Sequence, residues 1–155
     1  MSRFLTALSV TPLADGQQWR LNTPLQYQSF LLCENVTGTG IIEVPAQFVT
    51  DFASVPAMLR GALPPWNVWG AAAVVHDFLY WEQSIDRDTA DSVLREACRV
   101  LGVDEPIIMA IYLGVRIGGQ SAWDGNAALK KSGYRRMASL QDLPPYSRPY
   151  EDATP

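Results

Sequence analysis

The sequence predicts an α+β fold, in which a small antiparallel N-terminal sheet precedes a bundle of about three helices with a central buried helix. Short apolar runs alternate with turn residues up to residue 44, and apolar residues recur at helical spacing from residue 66. Residues after 123 lack a regular pattern. At 155 residues, with 48% hydrophobic and 18% charged residues, the chain has the size and composition of one globular domain.

The predicted sheet rests on short extended runs separated by turn residues. An apolar run at residues 4–10 precedes a turn at Asp15-Gly16, and a second run follows at residues 19–21. Further extended segments are expected at residues 27–33 and 41–44. This pattern predicts an antiparallel sheet of three to five strands.

Three helices are expected in the second half of the chain. Residues 66–81 are apolar on nearly every face, which is typical of a buried helix. The next helix begins after an N-cap at Asp86 and ends at Gly102. The third begins after Asp104, and the Gly118-Gly119 pair is expected to end it.

The same patterns suggest how the chain is divided. We expect residues 1–123 to form one globular domain and residues 124–155 to form an irregular C-terminal extension. The extension holds a basic cluster at residues 130–136 and a tail rich in proline and tyrosine. A solvated surface is the simpler interpretation of the basic cluster, with a phosphate contact as the alternative.

Composition narrows the class of partner. The chain has 16 acidic and 12 basic residues and a pI near 4.9, whereas a nucleic-acid-binding domain is usually basic. Two cysteines are too few for a disulfide framework. No run approaches the roughly 20 apolar residues that span a bilayer. Nucleic acid and membrane are therefore not expected partners, and we expect the protein to be made in the cytoplasm.

One candidate site centres on His76, the single histidine, and its neighbour Asp77. Their neighbours on the predicted helix are apolar, so both side chains need polar partners from elsewhere. Those two residues point about 100° apart on a helix, so each needs a partner of its own. The candidate partners are Asp51, Ser54, Tyr80, Asp91, Tyr112 and Arg116.

Two interpretations of this group remain open from the residues alone. In the functional one, His76, Asp77 and Asp51 bind one divalent metal ion that activates water for hydrolysis. Without a metal, His76 would act as a general base oriented by a carboxylate. In the structural one, His76 bonds a backbone carbonyl or Asp51, Asp77 pairs with Arg116, and Tyr80 completes the network.

Four motifs, taken in order, resemble one family. They are Thr50-Asp51-Phe52-Ala53-Ser54-Val55-Pro56, His76-Asp77-Phe78-Leu79-Tyr80, Arg87 with Ala90-Asp91, and the stretch 112–119. Together they resemble the phage and prophage family known as domain of unknown function 1353, over about residues 4–123. The resemblance implies a tailed-phage or prophage gene product in which Asp51, His76, Asp77 and Asp91 belong to the family pattern. It implies no activity.

Three functions are consistent with these expectations. The first is an accessory phage hydrolase that uses a metal ion, and the second is a non-catalytic virion component of the head, connector or tail. The third is an inhibitor that binds a host protein. In each case the protein is made in the host cytoplasm, and for the first two the expected partners are other phage proteins. The sequence leaves open whether the protein is an enzyme and whether it enters the virion.

Overall fold

The computed structural model of the protein describes residues 1–35, 38–52 and 68–144. Ser54 and the other residues of the expected site motif beyond Phe52 lie outside the described residues. The proline- and tyrosine-rich tail after Pro144 lies outside them as well.

The described strands form two antiparallel sheets of three strands each, with the orders β1-β4-β5 and β2-β3-β6. The α+β class and the small antiparallel pairing are confirmed, and the strands divide into two sheets where one was expected. The strands are β1 (Arg3–Phe4), β2 (Val10–Pro12), β3 (Trp19–Leu21), β4 (Leu25–Gln28), β5 (Ile41–Val44) and β6 (Val49–Thr50).

Four α-helices accompany the sheets in the described residues, and three of them form the expected bundle. Helix α2 is buried along most of its length and packs against β4, β5, α3 and α4, which confirms the predicted central helix. Asp86 caps α3 by accepting a bond from the Thr89 amide at 2.9 Å. The helices are α1 (Phe30–Asn35), α2 (Gly70–Glu82), α3 (Arg87–Val100) and α4 (Glu105–Lys131). No described helix is both long and apolar enough to cross a membrane.

Residues 27–33 were expected to form one extended run, but the strand ends at Gln28 and α1 follows. The Glu96 side chain, from α3, lies at the start of α1 and accepts bonds from the first two helical amides at 3.2 and 3.3 Å. It also accepts bonds from the hydroxyls of Ser2, Tyr27 and Ser29 at 2.6–2.9 Å. A side chain 66 residues away in sequence therefore stabilises this change from strand to helix.

Helix α4 continues through Gly118-Gly119 to Lys131, so the expected helix end is wrong. The extra turns make contacts with the C-terminal end of α2. Asn126 Nδ2 donates to the Tyr80 carbonyl at 3.2 Å, and Lys130 Nζ donates to the Glu82 carbonyl at 2.8 Å. These contacts favour the helix despite the cost of two glycines. The expected division of the chain at residue 123 falls within α4.

After α4 the chain returns to the second sheet as residues 134–144, here called the strap. The Val49 amide donates to the Arg136 carbonyl at 3.0 Å, and the Ala138 amide donates to the Gln47 carbonyl at 2.9 Å. Further along, the Ala14 amide donates to the Asp142 carbonyl at 3.1 Å. The strap thus extends the sheet beyond β6.

Candidate functional site

The structure divides the residues of the expected site between two polar clusters. Each cluster includes a residue of α2, His76 in one and Asp77 in the other, and these two residues lie on different faces of the helix. The Asp91 cluster consists of His76, Tyr80, Arg87, Asp91 and Arg116. The Asp77 cluster consists of Thr50, Asp51, Asp77 and Arg136.

In the Asp91 cluster, four side chains from three helices meet on one buried carboxylate. Asp91 Oδ1 lies 2.9 Å from His76 Nε2 and accepts a bond from the Tyr80 hydroxyl at 2.7 Å. Asp91 Oδ2 accepts bonds from Arg87 Nη1 at 3.3 Å and from Arg116 Nη1 at 3.0 Å. The Asp91 side chain has no exposed surface. Both carboxylate oxygens are therefore engaged in joining α2, α3 and α4.

These contacts set the ionisation of the cluster. Burial alone would raise the pKa of Asp91, but the hydrogen bonds to His76 and Tyr80 outweigh it, so the pKa lies below its ordinary value. Burial, followed by the bond to Asp91, raises the pKa of Tyr80, so its hydroxyl stays protonated as a donor. The stabilisation from Asp91 is complete above the unfolded pKa of about 3.9 and is lost as pH falls through the lower folded value.

The two arginines extend this cluster to α4 and to the surface. Arg87 Nη1 also donates to the Val115 carbonyl on α4 at 3.2 Å. Arg116 Nη1 also bonds the exposed carboxylate of Asp88. The expected pair of Asp77 with Arg116 is therefore wrong, because Arg116 faces α3 and bonds two of its carboxylates.

His76 itself is a buried member of this cluster. It is only 2% exposed, and its ring centroid lies 4.1 Å from that of Tyr80. Its Nε2 contacts Asp91, whereas the structural interpretation expected a bond to a backbone carbonyl or to Asp51. The inner face of α3 supplies this partner, and α3 packs directly on α2. In this arrangement His76 can hold helices together, but little of it is accessible to a substrate.

The Asp77 cluster joins α2 to β6 and the strap. The Thr50 hydroxyl donates to Asp77 Oδ2 at 2.5 Å. Arg136 Nη2 lies 3.7 Å from Asp77 Oδ2 and 3.5 Å from Asp51 Oδ1, so one guanidinium serves two carboxylates. The guanidinium carbon of Arg136 also lies 5.5 Å from the ring centroid of Phe48.

The two carboxyls of this cluster differ in environment. Burial raises the pKa of Asp77; the Arg136 guanidinium opposes this and the Asp51 carboxylate adds to it, so the pKa is above its ordinary value. The Asp51 side chain is 40% exposed, whereas that of Asp77 is 9% exposed. A buried carboxyl with a raised pKa thus lies near an exposed carboxyl beside the same guanidinium, which is an arrangement suited to proton transfer or to binding a cation.

The remaining expected residues lie apart from both clusters or outside the described chain. Tyr112 is half-buried on α4, and the guanidinium of Arg95 lies 5.4 Å from its ring centroid. In the part of the chain that the structure describes, no group of three or more histidine, cysteine, aspartate or glutamate side chains is placed to hold a metal ion. The expected metal ligands His76, Asp77 and Asp51 do not converge on one point, because His76 bonds Asp91, while Asp77 bonds Thr50.

Sequence reasoning missed Arg136 and Thr50 as members of the site. Thr50 stands beside Asp51 in the first motif, and that position was the available signal. Arg136 lies in the basic cluster that was interpreted as a solvated surface. Only the path of the strap, which no sequence periodicity reveals, brings it to Asp77.

This arrangement defines an α+β protein whose helices meet on a buried ionic network. The model of the family described as "Protein of unknown function (DUF1353)" matches residues 19–115, more than half of the chain. The chain therefore belongs to this family, as its motifs suggested. No curated protein and no solved structure matches it. The match includes Asp51, Asp77 and Asp91, whereas Arg136 lies outside it.

The close packing at the Asp91 cluster depends on Gly119 of α4. A Cβ atom added at Gly119 would overlap the Tyr80 hydroxyl and lie 3.3 Å from Arg87 Nη1. A Cβ atom added at Gly118, by contrast, would have no neighbour within 4 Å. The two adjacent glycines therefore differ in their surroundings, so an alanine substitution at Gly118 is a matched control for one at Gly119.

We predict that Gly119→Ala lowers the free energy of unfolding by about 1–3 kcal/mol, because it displaces the Tyr80 hydroxyl from Asp91. Gly118→Ala should raise it by about 0.5–1 kcal/mol, since alanine is the better helix former and meets no neighbour. Urea denaturation of both variants measures the difference. Equal effects of the two substitutions would contradict the proposed close approach.

The raised pKa of Asp77 predicts a distinct dependence of stability on pH. Because the folded protein holds this proton more tightly than the unfolded chain, Asp77 lowers stability as pH rises above about 4 toward the folded pKa. Asp77→Asn removes the titration. The variant should therefore gain free energy of unfolding relative to the wild type as the pH rises from about 4 toward the folded pKa of Asp77.

Urea denaturation at several pH values tests this prediction, with Asp124→Asn, a change at an exposed position, as the control. A difference between Asp77→Asn and the wild type that stays constant with pH would show that Asp77 does not hold its proton in the folded state.

Proposed function

We propose that this protein is a non-catalytic structural component of a phage or prophage particle, in which the Asp91 cluster holds the helices in place. The observation that carries the proposal is the burial of His76 at 2% exposure, with both oxygens of its partner Asp91 occupied by Tyr80, Arg87 and Arg116. A histidine with these contacts serves structure better than catalysis. The family resemblance supplies the phage setting.

The outer face of α4 also supports a role in assembly. Met109, Leu113 and Ile117 recur every fourth residue on this helix and are 41%, 51% and 84% exposed. Exposed apolar side chains in a contiguous row are typical of surfaces that contact other proteins. A component that binds neighbouring virion proteins would need such a surface.

One observation favours a hydrolase as the second candidate. Asp77 is a buried carboxyl with a raised pKa, and Asp51 beside it is exposed. Such a pair suits general acid–base chemistry, with Asp77 as the acid and Asp51 as the base. This candidate keeps Asp51 and Asp77 of the expected hydrolase site and leaves out His76.

Particle analysis tests the proposal. A stop codon is introduced into the gene in the phage or prophage that encodes it, and purified particles are examined by mass spectrometry and electron microscopy. We expect the protein in wild-type particles, and incomplete particles with low infectivity from the stop-codon phage. Complete particles that lack the protein would contradict the proposal.

The hydrolase candidate is separated from the structural role by complementation of the stop-codon phage with Asp51→Asn. A structural component in which Asp51 only pairs with Arg136 should tolerate this change, because Asp51 is an exposed residue at the end of a strand. If Asp51→Asn is folded but restores no infectivity, while Asp124→Asn restores it fully, the acid–base candidate is favoured.

A further inference from the structure

The buried apolar residues of the strap pack outside the main core. Its apolar residues Ala138 and Leu143 pack with Leu13 and Val49 in a small cluster of their own. Its short helical turn is closed locally, because Asp142 accepts bonds from the amide and the hydroxyl of Ser139 at 2.7 and 2.9 Å. A segment with a separate apolar cluster and its own local bonds can open as a unit while the core stays folded.

A glycine joins the strap to α4. Gly133 follows the end of the helix with a φ of +87°, and an added Cβ atom there would have no neighbour within 4 Å. This backbone conformation suits glycine and turns the chain from the helix toward the sheet. The side of Gly133 that would carry a Cβ atom thus faces open space.

Arg136 provides the main polar contact between the strap and the family-matched part of the chain. Its guanidinium lies between Asp51 and Asp77, and its own backbone carbonyl accepts the bond from the Val49 amide. The adjacent Arg135 is exposed and makes no ion pair among the described contacts. A comparison of variants at the two neighbouring arginines therefore separates the specific contact of Arg136 from a general effect of positive charge.

We propose that the strap is a segment that can detach from the rest of the protein. Arg136 holds it in place, and while attached it covers the Asp51–Asp77 carboxyl pair and the edge of β6. In the closed form Arg136 lies beside both carboxyls and the strap pairs with the strand edge. Release would remove Arg136 from the two carboxyls and would leave the Val49 amide and the Gln47 carbonyl without their strap partners. This surface suits an extended, arginine-bearing segment of a partner protein. The strap itself is such a segment and shows how one is accommodated. This device would operate whether the protein is a virion component or an enzyme.

Native-state hydrogen exchange tests the release of the strap in the full-length protein. In the wild type the amides of Val49, Ala138 and Ala14 should exchange together, at least about tenfold faster than core amides of α3. Arg136→Gln should accelerate these three amides by a further factor of roughly three or more, and Arg135→Gln should leave them unchanged. Exchange of the three amides only with the α3 amides would overturn the proposal, as would equal effects of the two arginine variants.

A synthetic peptide with the sequence of residues 134–144 tests the acceptor surface. Added to full-length Arg136→Gln protein, this peptide should bind more tightly than a control peptide in which glutamine replaces the arginine that corresponds to Arg136. The wild-type protein should bind the peptide more weakly, because its own strap occupies the surface. Equal binding of the two peptides would show that the carboxyl pair does not recognise arginine.

Discussion

The fold of the helical half depends on one buried carboxylate, that of Asp91. It is fully buried, and it keeps its charge because four groups from three helices direct donors at its two oxygens. Removing any one of them would leave a buried charge short of partners, which costs more than a surface ion pair contributes. This explains why Gly119 lies where α4 approaches α2: a larger residue would separate the Tyr80 hydroxyl from Asp91.

The adjacent residues His76 and Asp77 serve two different junctions. His76 connects α2 to α3 through Asp91, whereas Asp77 connects α2 to β6 and the strap through Thr50 and Arg136. A helix rotates each successive side chain by about 100°, so two neighbours naturally reach different elements. The His-Asp pair therefore need not form one site, although the dipeptide suggests one. Any chemistry in this part of the molecule is better placed at the exposed Asp51 than at the buried histidine.

Local patterns predicted much of this structure. The N-cap at Asp86, the buried helix around residue 76 and the need of His76 for a polar partner follow from side-chain chemistry within a few residues. Contacts between distant parts of the chain produced features that did not follow, among them the length of α4 and the position of Arg136. Helix α4 passes through Gly118-Gly119 because Asn126 and Lys130 bond the end of α2. Arg136 reaches Asp77 only because the strap returns to the sheet. Such contacts, far apart in sequence, leave no periodicity for local reasoning to detect.

His76 acts in the fold through its contact with Asp91. A double-mutant cycle measures this directly, using urea denaturation of His76→Ala, Asp91→Ala and the double variant at neutral pH. We expect each single variant to be strongly destabilised, with an interaction energy between the two sites of about 1–3 kcal/mol. An interaction energy near zero, with a folded and stable His76→Ala protein, would contradict the claim and return His76 to the list of catalytic candidates.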